Sequence, residues 1–196
     1  MNDLPTLKIY LFGKQKVGKT ALRSKIIPEN DSQKEENKPT KLVEFSTKTI
    51  DDKYALLLFE YPGDIHGTAQ FDHLDPAGLI FLIYDIVNPK SFQDLRDEWI
   101  SFFEEKNLMN DNSKRILVIA NKKDLYKNKD YSEFVEEDEG KTFANQIGAD
   151  FLSISVENDN LDEILAYFEE RYKNIKGVND INDIKIEELY YSCSCF

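Results

Sequence analysis

The sequence has little of what braces small secreted proteins or anchors proteins in a bilayer. Of its 196 residues two are cysteines, Cys193 and Cys195, and both stand in the last four positions, so no disulfide framework braces the fold. The longest apolar run, residues 79–84, is far shorter than the roughly 18 residues that a membrane-spanning helix needs. Residues 1–5 lack the basic and apolar regions of a signal peptide. We therefore expect a cytoplasmic protein.

Positive charge is also scarce. The chain has 25 lysine and arginine residues against 37 aspartate and glutamate residues, which gives a formal net charge of −12 at pH 7. Because proteins bind nucleic acids by neutralising phosphates with lysine and arginine, this balance argues against nucleic acid as a partner. The hydrophobic share of 41% is ordinary for a folded protein, and the length allows one full domain with a substantial core.

Strand-like and helix-like segments alternate along the chain. The strands are predicted at residues 7–12, 42–50, 54–59, 78–84, 116–120 and 151–154. The helices are predicted at residues 19–27, 91–106, 136–148 and 161–173. Strands separated by helices predict an α/β fold with a mostly parallel sheet and helices on both faces. Residues 1–176 are predicted to form one domain, and the polar, patternless residues 177–196 a flexible tail.

The first predicted strand leads into a phosphate-binding motif of the form Gly-x-x-x-x-Gly-Lys-Ser/Thr. In such a loop, backbone N–H groups converge on phosphate oxygens at a helix N-terminus. Lys19 is expected to reach the β- and γ-phosphates, and the Thr20 hydroxyl to bind Mg²⁺. The alternative is a glycine turn before a lysine-bearing helix, which the flanking strand and helix disfavour. The loop consists of Gly13, Lys14, Gln15, Lys16, Val17, Gly18, Lys19 and Thr20.

A second motif, Asn121-Lys122-Lys123-Asp124, directly follows the predicted strand at residues 116–120. In open parallel sheets ligands bind beyond the carboxyl ends of the strands, which places this motif on the same edge as the phosphate loop. The Asp124 carboxylate can accept two hydrogen bonds from the N1–H and exocyclic amine of guanine, whereas adenine presents an acceptor at N1. The motif by itself is common in polar loops. Paired with the phosphate loop, it indicates a guanine nucleotide, GTP or GDP.

Three stretches of this sequence resemble small GTPases of the Ras superfamily, and most of all the Rab branch. They are Leu-Ile-Tyr-Asp-Ile at residues 82–86, Val-Ile-Ala-Asn-Lys-Lys-Asp-Leu at 118–125 and Phe-Leu-Ser-Ile-Ser at 151–155. The resemblance implies a P-loop NTPase G domain with an open six-stranded sheet, one strand antiparallel, and a switch driven by the γ-phosphate.

The same resemblance assigns roles to three residues outside the two motifs. Thr40, which stands before Val-Glu-Phe at residues 43–45, corresponds to a switch threonine that contacts Mg²⁺ and the γ-phosphate. Ser155 and Val156 correspond to a loop whose backbone contacts the guanine oxygen. The resemblance also implies effector and regulatory proteins as partners, and a role in vesicle traffic.

The second switch departs from the family pattern Asp-x-x-Gly-Gln, because residues 60–64 read Glu-Tyr-Pro-Gly-Asp. Glu60 keeps the carboxylate that supports Mg²⁺ but is one methylene longer, so it either ligates the metal or crowds it. Gly63 keeps the N–H that binds the γ-phosphate. Asp64 replaces the glutamine that orients the attacking water, and a carboxylate offers no N–H donor to the developing charge. We therefore predict slow GTP hydrolysis, with Lys19, Gly63 and the degenerate Asp64 as the catalytic group.

Two further departures surround the nucleotide. Gln15 occupies a position that many relatives fill with glycine, and its side chain can obstruct an arginine finger from an activating protein. No aromatic residue stands between residues 21 and 40, where the family usually stacks one on the guanine, although the stem of Lys122 can cover the base from its other side. Together with Glu60 and Asp64, these changes keep a second hypothesis open, a non-catalytic pseudo-GTPase that acts as an interaction module.

The last four residues, Cys-Ser-Cys-Phe, fit two lipidation patterns. They form an imperfect C-a-a-X box on Cys193, in which a final phenylalanine favours geranylgeranyl transfer. They also resemble the paired-cysteine ends of Rab proteins, which carry two prenyl groups. Because one lipid anchors only marginally, stable attachment needs both Cys193 and Cys195 modified, or a membrane-bound partner. An unmodified tail is the alternative. The lipidated form predicts a peripheral protein on the cytosolic face of membranes.

Overall fold

Strands and helices alternate in the computed structural model, as the sequence predicts. The structure describes residues 6–28, 43–50, 54–64, 74, 78–105, 116–126, 128, 130–160, 164–166 and 170. Its strands are β1 (Thr6–Phe12), β2 (Glu44–Ile50), β3 (Tyr54–Glu60), β4 (Leu79–Asp85), β5 (Ile116–Asn121) and β6 (Asp150–Ser153). Its α-helices are α1 (Lys19–Ile26), α2 (Pro89–Asp94), α3 (Ile100–Glu105) and α4 (Glu137–Gln146). A π-helical segment (Leu95–Trp99) joins α2 to α3, and a 3₁₀ turn (Lys123–Leu125) follows β5.

One sheet holds the six strands in the order β2-β3-β1-β4-β5-β6. β2 pairs antiparallel with β3, and every other neighbouring pair is parallel. β4 and β5 are buried along their whole length, because parallel strands are covered on both faces. Leu22 and Ile26 of α1 pack on one face, while Phe92 of α2 and Phe143 of α4 pack on the other. The predicted α/β fold, with its single antiparallel strand and helices on both faces, is confirmed.

Three polar residues occupy the carboxyl ends of parallel strands. Glu60, Asp85 and Asn121 are the last residues of β3, β4 and β5, each one residue beyond the predicted end of its strand. All three are buried. Since β1 runs parallel to β3 and β4, the phosphate loop that begins at Gly13 leaves the sheet at this same edge. The topology therefore brings both motifs of the sequence to one side of the molecule.

The segment from α2 to α3 corresponds to the helix predicted at residues 91–106. It begins earlier, at Pro89, since the fixed φ of proline suits the first turn of a helix. In the π segment the N–H of Ile100 donates to the carbonyl of Leu95. Trp99 at the end of that segment is fully buried and packs against Phe12, with 5.3 Å between ring centroids. The aromatic spacing predicts the helix but not its π turn.

Several predictions lie outside the described residues. They concern Thr40 and the tail at 177–196 with both cysteines. Of the helix predicted at 161–173, residues 164–166 and 170 are described and are helical. Within the described ranges, no helix combines the length and the apolar character needed to cross a membrane.

Candidate functional site

The phosphate loop follows a path that only glycine permits at two positions. Gly13 has φ 138°, and a Cβ there would lie 2.1 Å from the carbonyl oxygen of Ile83. Gly18 has φ 102°, and a Cβ there would lie 2.2 Å from Nδ2 of Asn121. Lys16 also has a positive φ, 66°. The loop is therefore wrapped tightly against β4 and β5, as the motif requires.

The ammonium group of Lys19 lies over this loop. It donates hydrogen bonds to the carbonyl oxygens of Gly13 and Lys14, both at 2.8 Å. Burial lowers the pKa of Lys19 to about 8, and the nearby charge of Glu60 opposes that shift. A buried, desolvated cation in this place favours an anion such as a phosphate group beside it.

The side chain of Lys14 points away from the loop. Its ammonium lies 2.7 Å from a carboxylate oxygen of Glu98, in the π segment, and 3.9 Å from one of Asp94, at the end of α2. Only the backbone of Lys14 therefore faces the region where Lys19 lies. The ion pairs tie the phosphate loop to the helix packed on the neighbouring face of the sheet.

Thr20 and Glu60 present adjacent oxygen atoms, with the Thr20 hydroxyl donating to Oε1 of Glu60 at 2.5 Å. Magnesium binds oxygen ligands octahedrally at about 2.0–2.1 Å, so that neighbouring ligands lie about 2.9 Å apart. A hydroxyl and a carboxylate oxygen that already touch fit this requirement with little movement. Thr40, the third predicted ligand, lies outside the described residues.

Arg23 of α1 lies beside Thr20 and Glu60, and the sequence analysis did not identify it as a site residue. Its Nε lies 3.1 Å from Oε2 of Glu60 and its Nη2 lies 2.8 Å from Oε2 of Glu44, at the start of β2. Its Nη1 donates to the hydroxyl of Ser46 at 3.1 Å. The signal in the sequence is an arginine between Leu22 and Ile26, on the stripe of α1 that packs on the sheet.

The second-switch segment rests directly on the phosphate loop. A Cβ on Gly63 would lie 2.3 Å from the backbone nitrogen of Gln15 and 2.8 Å from the carbonyl carbon of Lys14. Only glycine allows this approach. Gln15 and Asp64 are both exposed beside it. The structure therefore brings together Gly63, Gln15 and Asp64, which the sequence argument treats as separate departures from the family pattern.

Asn121 connects three loops rather than standing at the surface of the site. Its Nδ2 donates to the carbonyl of Val17 at 2.8 Å. Its Oδ1 accepts from the backbone N–H of Lys122 at 2.8 Å and from that of Val156 at 3.1 Å. Through Asn121 the phosphate loop, the 121–124 motif and the 155–156 loop are held in fixed relation.

Lys122 and Asp124 of the 121–124 motif differ in their contacts. Lys122 has a left-handed backbone, φ 67°, and its ammonium lies 2.6 Å from Oδ2 of Asp85. Asp124 lies exposed in the 3₁₀ turn, and within the described part of the chain no hydrogen bond or ion pair engages its carboxylate. Its acceptor oxygens therefore face solvent at the edge where the sheet motifs meet.

The loop that begins at Ser155 is held by charged groups on both sides. Oδ2 of Asp159 accepts from the N–H of Ser155 at 2.9 Å and lies 2.8 Å from the ammonium of Lys123. Desolvation raises the pKa of Asp159, but the hydrogen bonds from Lys123 and Ser155 outweigh it and keep that pKa below its ordinary value. On the other side, Lys25 of α1 donates to the backbone carbonyls of Val156, Glu157 (3.1 Å) and Asp159 (2.9 Å).

These contacts show which site residues sequence reasoning overlooked. Lys25, Lys123 and Asp159 fix the backbone of the loop that the family resemblance associates with the guanine oxygen. In the sequence, Lys123 stands at the variable position of the 121–124 motif, to which no role was assigned. Lys25 and Asp159 lie in no motif, because each acts through backbone groups that carry no sequence signature.

Comparison with known proteins agrees with this geometry. The model of the Ras family matches residues 8–176, which is most of the chain. The chain belongs to the Ras family. This Ras-family chain is 32% identical over 162 residues to the Ras-related protein RABA6a of Arabidopsis thaliana, covering 80% of the chain but only 65% of that relative.

Two yeast proteins show the same kinship. The chain is 27% identical over 163 residues to the Ras-related protein SEC4 of Saccharomyces cerevisiae, covering 81% of the chain and 71% of the relative. It is 26% identical over 212 residues to the Ypt/Rab-type GTPase YPT7 of the same yeast, covering 96% of both. The resemblance to the Rab branch of the Ras superfamily is thus confirmed.

Proposed function

We propose that this Ras-family protein is a Rab-like switch that binds GTP and GDP with Mg²⁺ and exchanges effector partners in vesicle traffic. One observation carries the proposal. Asn121 holds the phosphate loop, the 121–124 motif and the 155–156 loop together, so that a phosphate site and a guanine-selective carboxylate share one sheet edge. What is observed is that the phosphate loop and the Asp124 carboxylate lie at one sheet edge; in the proposal the loop backbone and Lys19 bind the phosphates, and Asp124 selects guanine.

Two residues that contact each other form the proposed Mg²⁺ site. Thr20 and Glu60 would hold Mg²⁺, with Thr40 as the switch ligand. The cation supplies positive charge to phosphate oxygens when bound. The chain's own groups then position the nucleotide, with Gly63 against the phosphate loop and Lys19 over it.

The nucleotide released by denaturing the purified protein, identified by chromatography, tests this proposal. Bound GDP or GTP is the expected result. Adenine nucleotide would overturn the assignment of Asp124. A site that stays empty, and that takes up no added GDP, would favour the pseudo-GTPase hypothesis. Asp64 and Gln15 support that hypothesis, because Asp64 stands in place of the water-orienting glutamine and Gln15 in place of a glycine that many relatives have.

Hydrolysis is proposed to be slow because Asp64 presents a carboxylate where the family has an amide. The exposed carboxylate adds negative charge beside phosphates and donates no hydrogen bond to them. Single-turnover hydrolysis of GTP by the wild type and Asp64→Gln measures this effect, and we expect Asp64→Gln to be faster by about tenfold or more. Equal rates would show that Asp64 is not the cause.

Membrane attachment is proposed to depend on Cys193 and Cys195, both beyond the described residues. Two prenyl groups give stable binding without a polybasic patch, whereas one gives marginal binding. The intact mass of protein isolated from its native cell decides among two, one and no added lipids. The mass of the unmodified chain would refute this part of the proposal and leave the nucleotide site unaffected.

A further inference from the structure

A buried arginine–glutamate pair lies beside the candidate metal site. The side chains of Arg23 and Glu60 are 7% and 2% exposed, and Nε of Arg23 is 3.1 Å from Oε2 of Glu60. A buried carboxylate without a partner is costly, and this pairing places an opposite charge beside Glu60. Arginine keeps its charge at any pH the protein meets, so the positive charge beside Glu60 does not depend on pH.

The two oxygens of Glu60 have different partners. Oε1 accepts from the hydroxyl of Thr20, while Oε2 faces Arg23. Thr20 and Arg23 are three residues apart on α1, and residues at this spacing lie on the same face of a helix. The helix thus presents a metal-ligand hydroxyl and a fixed cation to opposite oxygens of one carboxylate.

Lys19 does not take the place of Arg23 in this pair. Burial lowers the pKa of Lys19, and the charge of Glu60 opposes that shift only in part. The ammonium of Lys19 donates instead to the carbonyls of Gly13 and Lys14. Arg23 also contacts Glu44 and Ser46 of β2, which fixes the guanidinium from the other side. The guanidinium of Arg23, carried by α1, is therefore held between β2 and β3.

We infer that Arg23 is a positioning residue that acts as the built-in counter-ion of Glu60 and lowers the dependence of bound nucleotide on Mg²⁺. A divalent cation on Oε1 meets a carboxylate that is already neutralised, and it meets repulsion from the guanidinium on the neighbouring oxygen. Its affinity is reduced on both counts. Without Mg²⁺, Glu60 stays paired and the phosphate side of the site keeps its shape. The inference rests on the proposed function, because it presupposes a bound guanine nucleotide.

Release of fluorescently labelled GDP, measured across a series of buffered Mg²⁺ concentrations, tests the inference. In Arg23→Met we expect the Mg²⁺ concentration for half-maximal retention to fall by about tenfold or more, since Glu60 then has the metal as its main counter-ion. Removing Mg²⁺ should also accelerate release more in this variant than in the wild type. Arg23→Lys keeps the charge and should stay close to the wild type.

A second variant guards against misfolding of Arg23→Met. Arg23→Gln removes the charge but keeps an N–H donor for Glu60, and it should shift the Mg²⁺ dependence in the same direction. Ser46→Ala is the matched control, since it removes a contact of Arg23 without touching Glu60, and it should leave the Mg²⁺ dependence unchanged. The gain in melting temperature on adding Mg²⁺ to the GDP complex is a second readout, and it should be larger in both neutral variants.

The outcomes separate this inference from the proposed function. Labelled GDP that fails to bind the wild type would refute the proposed function. If GDP binds, but the Mg²⁺ concentration for half-maximal retention in Arg23→Gln or Arg23→Met is equal to or higher than in the wild type, only the role of Arg23 is overturned. A fall in the Mg²⁺ concentration for half-maximal retention in Arg23→Met and Arg23→Gln, but not in Arg23→Lys, supports that role.

Discussion

The candidate site has a phosphate half, formed by the phosphate loop and Glu60, and a base half, formed by the 121–124 motif and the loop at residues 155–159. Helix α1 anchors both halves, but it contacts different kinds of group in each. Arg23, which is buried, reaches the carboxylates of Glu60 and Glu44. Lys25, which is partly exposed, reaches backbone carbonyls of residues 156, 157 and 159. The helix therefore holds the phosphate half through side-chain carboxylates, and the base half through backbone carbonyls.

This difference has consequences for how each half responds to change. Buried charge interacts with added ions, so the phosphate half should be sensitive to Mg²⁺ and to pH. The anchor of the base half donates to backbone carbonyls away from the candidate metal oxygens, so the base half should be sensitive to the loss of that donor and insensitive to Mg²⁺. Asn121 joins the halves, since its amide contacts Val17 on one side and Val156 on the other.

The largest expected effect comes from breaking both halves at once. In Gly18→Ala the new Cβ would lie 2.2 Å from Nδ2 of Asn121, which its own hydrogen bonds hold in place. We expect GDP affinity to fall by about 100-fold or more, since a displaced Asn121 loses two or three buried hydrogen bonds. Fluorescence titration with labelled GDP measures the affinity.

Gly148→Ala is the matched control for that substitution. Gly148 also has a positive φ, 67°, but a Cβ there would meet no atom within 4 Å. It should cost roughly 1–2 kcal/mol of backbone strain and leave GDP affinity unchanged. Equal affinities in the two variants would show that the contact with Asn121 does not matter.

A somewhat smaller effect should follow from changing the base half alone. Asp124→Asn replaces an exposed acceptor carboxylate by an amide that offers one acceptor oxygen. Because hydrogen bonds to charged groups contribute about 1.5–3 kcal/mol each, we expect GDP affinity to fall by about 100-fold while Mg²⁺ dependence stays the same. Asp130→Asn, an equally exposed change nearby, is the control. Guanine binding that survives Asp124→Asn would refute the base assignment.

Sequence analysis predicted the motifs of both halves but not the residues of α1 that anchor them. The positions of the strands, helices and motifs follow from local patterns, since glycine spacing and apolar runs are encoded within a few residues of one another. The anchors are not encoded locally: Arg23 meets Glu60 across 37 positions, and Lys25 meets Val156 across 131. The sequence indicated Asn121 as part of a base motif, but its link between Val17 and Val156 depends on which strands are neighbours in the sheet.

A moderate effect is expected from removing the anchor of the base loop. Lys25→Met takes three hydrogen bonds from the carbonyls of residues 156–159 while keeping the aliphatic stem. GDP release should accelerate by about tenfold, with no change in Mg²⁺ dependence, because the loop loses its fixed position. Stopped-flow release of labelled GDP measures this rate.

Two variants make that result specific. Lys25→Arg retains the charge and the donors and should restore release to near the wild-type rate. Lys48→Met removes another lysine near α1, one that donates to the carbonyl of Ile26 at 3.3 Å, and it should have no effect on release. If Lys48→Met and Lys25→Met accelerate release equally, then general loss of positive charge is the cause and the anchoring role fails.

The smallest expected effect is a rise in stability at alkaline pH that comes from Lys19 in the phosphate half. Burial lowers the pKa of Lys19 from 10.5 to about 8, although the charge of Glu60 opposes the shift. A base with a lowered pKa contributes stability that is present above its unfolded value and lost as the pH falls through its folded value. The free energy of unfolding of the nucleotide-free protein should therefore rise above pH 8, by about 1 kcal/mol at about pH 9.

Denaturant unfolding between about pH 7.5 and 9.5 checks this expectation against Lys19→Met, in which the rise should be absent. Tyr61 sets the upper limit of the useful range. Burial raises the pKa of Tyr61 to about 12, so the folded state resists its ionisation and stability falls above about pH 10. Lys25→Met should keep the full wild-type rise, since Lys25 lies in the base half. A rise of the same size in Lys19→Met would assign the pH dependence to other groups and remove the electrostatic contrast between the halves.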